Sequence, residues 1–164
     1  MLVWRPFLNR FIKCQPTDYG STLLNQTRQI TRAAELASLA AFRAFIDTVC
    51  HDHVRIHEQV LYDLKLAVDE ACTNIITHGY AEMKPGSIIL SLDVQPQQVS
   101  MTLTDFGHAF EPSEPEKPDP HAGLENGKTG GFGLYFIYET MDEISYEITE
   151  AGNRLKLVKR LQAT

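Results

Sequence analysis

Apolar residues recur at three- and four-residue spacings twice in the first half of the chain. Leu36, Leu39, Phe42, Ile46 and Val49 predict one helix, with Thr31 as its N-cap. A break follows at Cys50-His51-Asp52-His53. Val60, Leu64, Ala67/Val68, Ala71 and Ile75 then mark a second helix from about Arg55 to His78. Gly79 is placed to end it, since glycine takes the left-handed turn that closes many helices.

Beyond the turn at Pro85-Gly86 the period changes to two. Ile88, Leu90, Leu92 and Val94 alternate with Ile89, Ser91 and Asp93. Val99, Met101 and Leu103 alternate with Ser100, Thr102 and Thr104. The link Gln95-Pro96-Gln97-Gln98 is short enough to make these a hairpin. Ile144, Tyr146 and Ile148, then Leu155 and Leu157, predict a second pair turning at Ala151-Gly152-Asn153, with a helix from about Phe132 to Met141 before it. Residues 1–20 hold no steady period and read as an N-terminal extension, with a short strand from Leu23 to Ile30. Residues 21–164 are expected to form the domain.

At 164 residues, 43% hydrophobic and 22% charged, the chain has the length and composition of one globular domain rather than of a disordered protein. Fifteen Lys and Arg against 21 Asp and Glu give a net charge of −6, which argues against nucleic acid as a general partner. Cys14, Cys50 and Cys72 lie far apart, form no CxxC pair and fit no disulfide framework. That usage points to a reducing, cytoplasmic setting. No run reaches the ~18 apolar residues of a membrane span, and residues 1–11 are too interrupted for a signal peptide.

The stretch from Asp105 to Phe132 stands apart. Pro112, Pro115, Pro118 and Pro120 crowd into nine residues, and Gly123, Gly127, Gly130, Gly131 and Gly133 into eleven. Structureless loops of this length are uncommon inside domains and often serve as lids over ligands. Glu111, Glu114, Glu116, Asp119 and Glu125 outnumber Lys117 and Lys128 there, as on a solvated surface.

Candidate chemistry lies at three places. Glu70 and Asn74 are four apart on the second helix and share a face at the border of its apolar stripe. An amide oxygen is a hard ligand suited to Mg²⁺, which takes few protein ligands and keeps waters and phosphate oxygens. A carboxylate one turn away can deprotonate an attacking hydroxyl. The plainer alternative is an ordinary polar helix face. Asp105-Phe106-Gly107 ends an alternating strand, where a carboxylate can accept a hydrogen bond from the exocyclic amine of adenine. A strand-ending turn would also use Asp and Gly. Gly130-Gly131-Phe132-Gly133 opens a helix, where backbone amides bind phosphate, or else forms a hinge.

Two look-alikes fail. Asp-Phe-Gly occurs in eukaryotic-type protein kinases, but no His-Arg-Asp precedes it here and the chain is too short for two lobes. Residues 123–129 approach a P-loop, but Ala122 replaces its first glycine and Lys117-Pro118-Asp119-Pro120-His121 cannot be the buried strand that must precede it. His51, His53 and His57 lack a further ligand at metal spacing and read as a surface cluster.

The order of the motifs is more specific than any one of them. Val68-Asp69-Glu70-Ala71-Cys72-Thr73-Asn74, continuing to His78-Gly79-Tyr80, resembles the N-box of the GHKL ATPases, the superfamily of gyrase, bacterial histidine kinases and mismatch-repair ATPases. Asp105-Phe106-Gly107 with Phe110-Glu111-Pro112 resembles the first glycine box of its small anti-sigma factors. Gly131-Phe132-Gly133-Leu134-Tyr135-Phe136-Ile137 resembles the second. Met141-Asp142-Glu143-Ile144 and Gly152-Asn153-Arg154-Leu155 with Val158-Lys159 are similar to the same branch, so the likeness covers about residues 30–162.

The resemblance implies an α/β (α+β) two-layer sandwich: a mixed, mostly antiparallel sheet covered by helices on one face, of the Bergerat type. It implies ATP and Mg²⁺ as cofactors, and serine/threonine kinase activity toward an anti-sigma-factor antagonist. A sigma factor as a second partner, and homodimerisation, come with it. By matching position, Glu70 is the catalytic base and Asn74 the Mg²⁺ ligand. Asp105 contacts adenine, and Gly107, Gly131 and Gly133 line the nucleotide. Members often carry an Arg just before the second glycine box. Thr129 and Gly130 stand there in this chain, with Lys128 slightly upstream as the cation for phosphate. That departure keeps a second function open, a non-catalytic nucleotide-binding module acting by sequestration.

Overall fold

The computed structural model describes residues 27–51, 53–109 and 132–162. Among these residues five strands form one sheet: β1 (Arg28–Ala33), β2 (Ser87–Gln95), β3 (Gln98–Asp105), β4 (Glu143–Thr149) and β5 (Gly152–Arg160), in the order β1-β2-β3-β5-β4. Every described pairing is antiparallel. The α-helices among the described residues are α1 (Leu39–Cys50), α2 (Glu58–Asn74) and α3 (Phe132–Thr140), which with the sheet make an α+β fold.

Alternation in the sequence becomes two faces of the sheet. Ile88, Leu90 and Leu92 of β2, Met101 and Leu103 of β3 and Leu157 of β5 are fully buried. They meet Phe42 and Ile46 of α1, Leu64, Ala67 and Val68 of α2, and Ile137 of α3 in one core. Side chains of this size each contribute roughly 1.5–3 kcal/mol on burial. The opposite face carries Ser91, Thr102, Thr104 and Lys156, as expected of an antiparallel sheet with one wet side.

α2 is the central helix, packed on α1 and α3. Arg43 of α1 pairs with Asp69 at 2.7 Å and Asp47 with Lys65 at 2.9 Å. Lys159 of β5 meets Asp63 at 2.8 Å and donates to the Thr140 carbonyl at the end of α3 at 2.6 Å. That lysine ties both helices to the sheet. Cys50 and Cys72 are buried and unbridged, and burial pushes the Cys50 thiol up to about 11 and the Cys72 thiol further. Both are packing residues rather than nucleophiles.

Three boundaries differ from the sequence reading. Thr31 is not a helix cap but lies inside β1, opposite Ile89, and a 3₁₀ turn at Leu36–Ser38 leads into α1 instead. The expected strand from Leu23 runs from Arg28 to Ala33 among the described residues. β1 is exposed along its length except at Ile30, which packs on the core, so no run of alternating residues reveals it. α2 begins at Glu58 rather than Arg55, because Ile56 bonds back to His53 at 2.9 Å and His57 is extended.

Candidate nucleotide site

α2 presents Glu70 and Asn74 one turn apart, both half-buried. Immediately after Asn74 the helix widens into a π turn, Ile75–Gly79, closed by the Tyr80 N–H on the Ile75 carbonyl at 3.0 Å. Such turns cluster at functional sites because they re-aim the chain without ending the helix. Here it delivers Gly79 and Tyr80 to the end of β3.

The contact made there is close. The His108 N–H donates to the Gly79 carbonyl at 2.7 Å. A β-carbon on Gly107 would overlap the same carbonyl, so only glycine allows this approach. The Tyr80 hydroxyl accepts from the Phe106 N–H and donates to the Ser87 carbonyl, both at 3.0 Å. Segment 106–108 is therefore pinned to the end of the π turn from two sides.

Asp105, the last residue of β3, is buried. Its Oδ1 accepts from the Gly107 N–H at 2.9 Å and from the side-chain amide of Asn153 at 3.0 Å. Asn153 is the register partner of Asp105 on β5 and is buried as well. The preceding Gly152 has φ +119°, and a β-carbon there would stand 2.5 Å from the Asp105 carbonyl oxygen.

These elements line a pocket that is partly open to solvent. Ala71, Ile75, Leu134, Ile137, Tyr146 and Leu155 give it apolar walls, and Asn74, Asp105 and His108 give it polar groups beside Gly79. An apolar slot with a few convergent polar groups has the character of a small-ligand site. Glu70 stands one helical turn before Asn74, and its carboxylate lies against Gly133 near the start of α3. Burial, and then the neighbouring charge of Asp69, push the Glu70 carboxyl above the usual carboxylate range.

Of the predicted site residues Asn74 and Asp105 line one pocket, whereas Glu70, Gly107 and Gly133 are not among its lining residues: Glu70 meets Gly133, and Gly107 meets the Gly79 backbone. Lys128 and Gly131, with the expected lid, lie outside the described residues. Asn153 and Tyr80 were not among the residues singled out for the site. Asn153 follows the turn glycine of a predicted hairpin, but its pairing with Asp105 depends on β3 lying beside β5, which the sequence pattern does not specify.

Comparison with known proteins bears on the family and the fold. The model of the histidine kinase-like ATPase domain matches residues 32–159. The serine/threonine-protein kinase BtrW of Bordetella bronchiseptica is 28% identical over 65% of this chain and 78% of its own length. The serine-protein kinase RsbW of Bacillus subtilis is 33% identical over 60% of this chain, a stretch that spans 64% of that relative. The anti-sigma F factor of Pasteuria penetrans is 27% identical over 77% of this chain and 81% of its own. A crystal structure of the RsbU and RsbW domains of a Mycobacterium tuberculosis protein superposes with a TM-score of 0.58 over 84% of this chain and 33% of that one. At 17% identity that likeness speaks for the fold. The chain belongs to the family of the histidine kinase-like ATPase domain.

Proposed function

We propose that this chain is an ATP- and Mg²⁺-dependent anti-sigma regulatory factor. In this reading it phosphorylates a serine or threonine of an antagonist protein and binds a sigma factor or similar regulator. The observation that carries the reading is the convergence of Asn74 and Asp105 on one apolar pocket, with Glu70 a turn away on the same helix. Relatives that carry serine-protein kinase and anti-sigma factor names support it. With such partners the chain acts in the cytoplasm. Homodimerisation and an ATP-binding domain spanning residues 21–164 belong to the same reading.

Asp105 reads the purine through its exocyclic amine. The residues present fit a Mg²⁺ ion of the phosphate-bound kind. Asn74 lines the pocket and offers one hard amide oxygen. Phosphate oxygens and water would complete its shell. When bound, the ion neutralises charge on the phosphates. Gly107, Gly131 and Gly133 let the nucleotide approach the backbone, and Lys128 is the cation for phosphate.

Glu70 is the general base. The acceptor hydroxyl oxygen bonds to the γ-phosphorus, the bond from phosphorus to ADP breaks, and the hydroxyl proton passes to Glu70. Phosphoryl transfer of this kind relies on positioning and charge stabilisation. The test is to incubate the chain with γ-labelled ATP, Mg²⁺ and candidate antagonist proteins. Label on a serine or threonine of one partner is expected. Phosphate release with no protein acceptor would overturn the kinase reading.

A further inference from the structure

We propose that Asn153 is a positioning residue for nucleotide choice, holding the Asp105 carboxylate so that the site reads a base amine and rejects a base carbonyl. The inference rests on the nucleotide reading above and adds a residue to it. Asn153 comes from β5, 48 residues beyond Asp105, and the residue is almost fully enclosed at 4% exposure. Its amide nitrogen donates to Asp105 Oδ1 at 3.0 Å and to the Gly107 carbonyl at 3.1 Å, and lies 3.5 Å from the His108 carbonyl. One amide thus fixes both the acid and the loop that follows it.

The consequence is geometric. A carboxylate rotates readily about its last bond unless donors hold one of its oxygens in place. Here the Gly107 N–H and the Asn153 amide both hold Oδ1, which leaves Oδ2 as the oxygen that meets the ligand. An acceptor in that place favours the exocyclic amine of adenine. It opposes the carbonyl of guanine, which is itself an acceptor. Sites built to hydrogen-bond one group discriminate strongly against analogues that leave the pairing unmade. Without Asn153 the carboxylate keeps one donor and can turn, and the Gly107 carbonyl loses its amide partner.

The experiment is calorimetric titration of the wild-type chain, Asn153→Ala and Asn153→Leu with Mg·ATP and Mg·GTP, with a thermal melt of each protein. The expected result is a wild-type preference for ATP of at least tenfold. Both variants should bind ATP about tenfold or more weakly, with the preference reduced toward unity. A purely structural residue would change the melting temperature and leave the ratio of the two affinities intact. An unchanged ATP-to-GTP ratio in whichever variant is folded at the assay temperature overturns the role of Asn153. Wild-type protein that binds neither nucleotide overturns the site reading and this inference together.

Discussion

Gly133 lies against the Glu70 carboxylate, so close that a β-carbon at position 133 would overlap Oε2. The group that would have to yield is the far end of a flexible side chain, not backbone. Gly133→Ala should therefore fold normally, with a melting temperature equal to or above wild type, since alanine suits a helix better by up to about 1 kcal/mol. Displacing the base by even an ångström can cost about a hundredfold in rate. Transfer by Gly133→Ala should fall at least tenfold, and by a larger factor than ATP affinity does, measured by labelled transfer and calorimetry.

Glu70→Gln keeps the shape of the side chain and removes the proton acceptor. General bases contribute roughly 10²–10⁴ in rate, so transfer should drop into that range with ATP binding retained. In wild type, burial and Asp69 raise the carboxyl above its ordinary range. The rate should accordingly climb with pH through a midpoint above the usual glutamate value. A rate that does not rise with pH from the ordinary glutamate range upward would contradict Glu70 as the base.

The same raised carboxyl has a stability consequence of definite sign. Between the ordinary glutamate range and the raised one, the folded chain holds a proton that the unfolded chain has released. Stability then falls as pH rises through that window. Glu70→Gln has no such proton to lose. Its melting temperature should gain on wild type from pH 4 to pH 7, and thermal melts at the two pH values check this.

Tyr80 offers a test of the base loop. Its hydroxyl accepts from the Phe106 N–H and donates to the Ser87 carbonyl, both at 3.0 Å, on a residue only 7% exposed. Tyr80→Phe leaves both groups short of a partner, which costs about 1–3 kcal/mol when such groups are buried. Urea unfolding should show that loss, and ATP affinity should weaken as segment 106–108 loosens.

The helical stripes and the β2–β3 hairpin were legible because each is a periodic pattern with one buried face. Glu70 and Asn74 were legible as a pair because a helix puts residues four apart on one side. The far end of β1 was missed for the converse reason: in Arg28–Ala33 only Ile30 packs on the core, so no alternation carries the strand on to Ala33. The contact of Gly79 with Gly107 and the bond of Asn153 to Asp105 join residues 28 and 48 positions apart. They follow from the sheet order and the π turn, which local periodicity does not encode. Lys128 and Gly131 stand on motif likeness alone.

The most direct measurement is calorimetry of Mg·ATP binding to the wild-type chain and to Asp105→Asn, which keeps the shape of the side chain and removes its charge. A hydrogen bond to a charged acceptor contributes about 1.5–3 kcal/mol, roughly tenfold to a hundredfold in affinity. The account predicts a single saturable site in wild type and binding weakened by that factor in the variant. No binding heat in wild type, or equal affinity in both proteins, would contradict it.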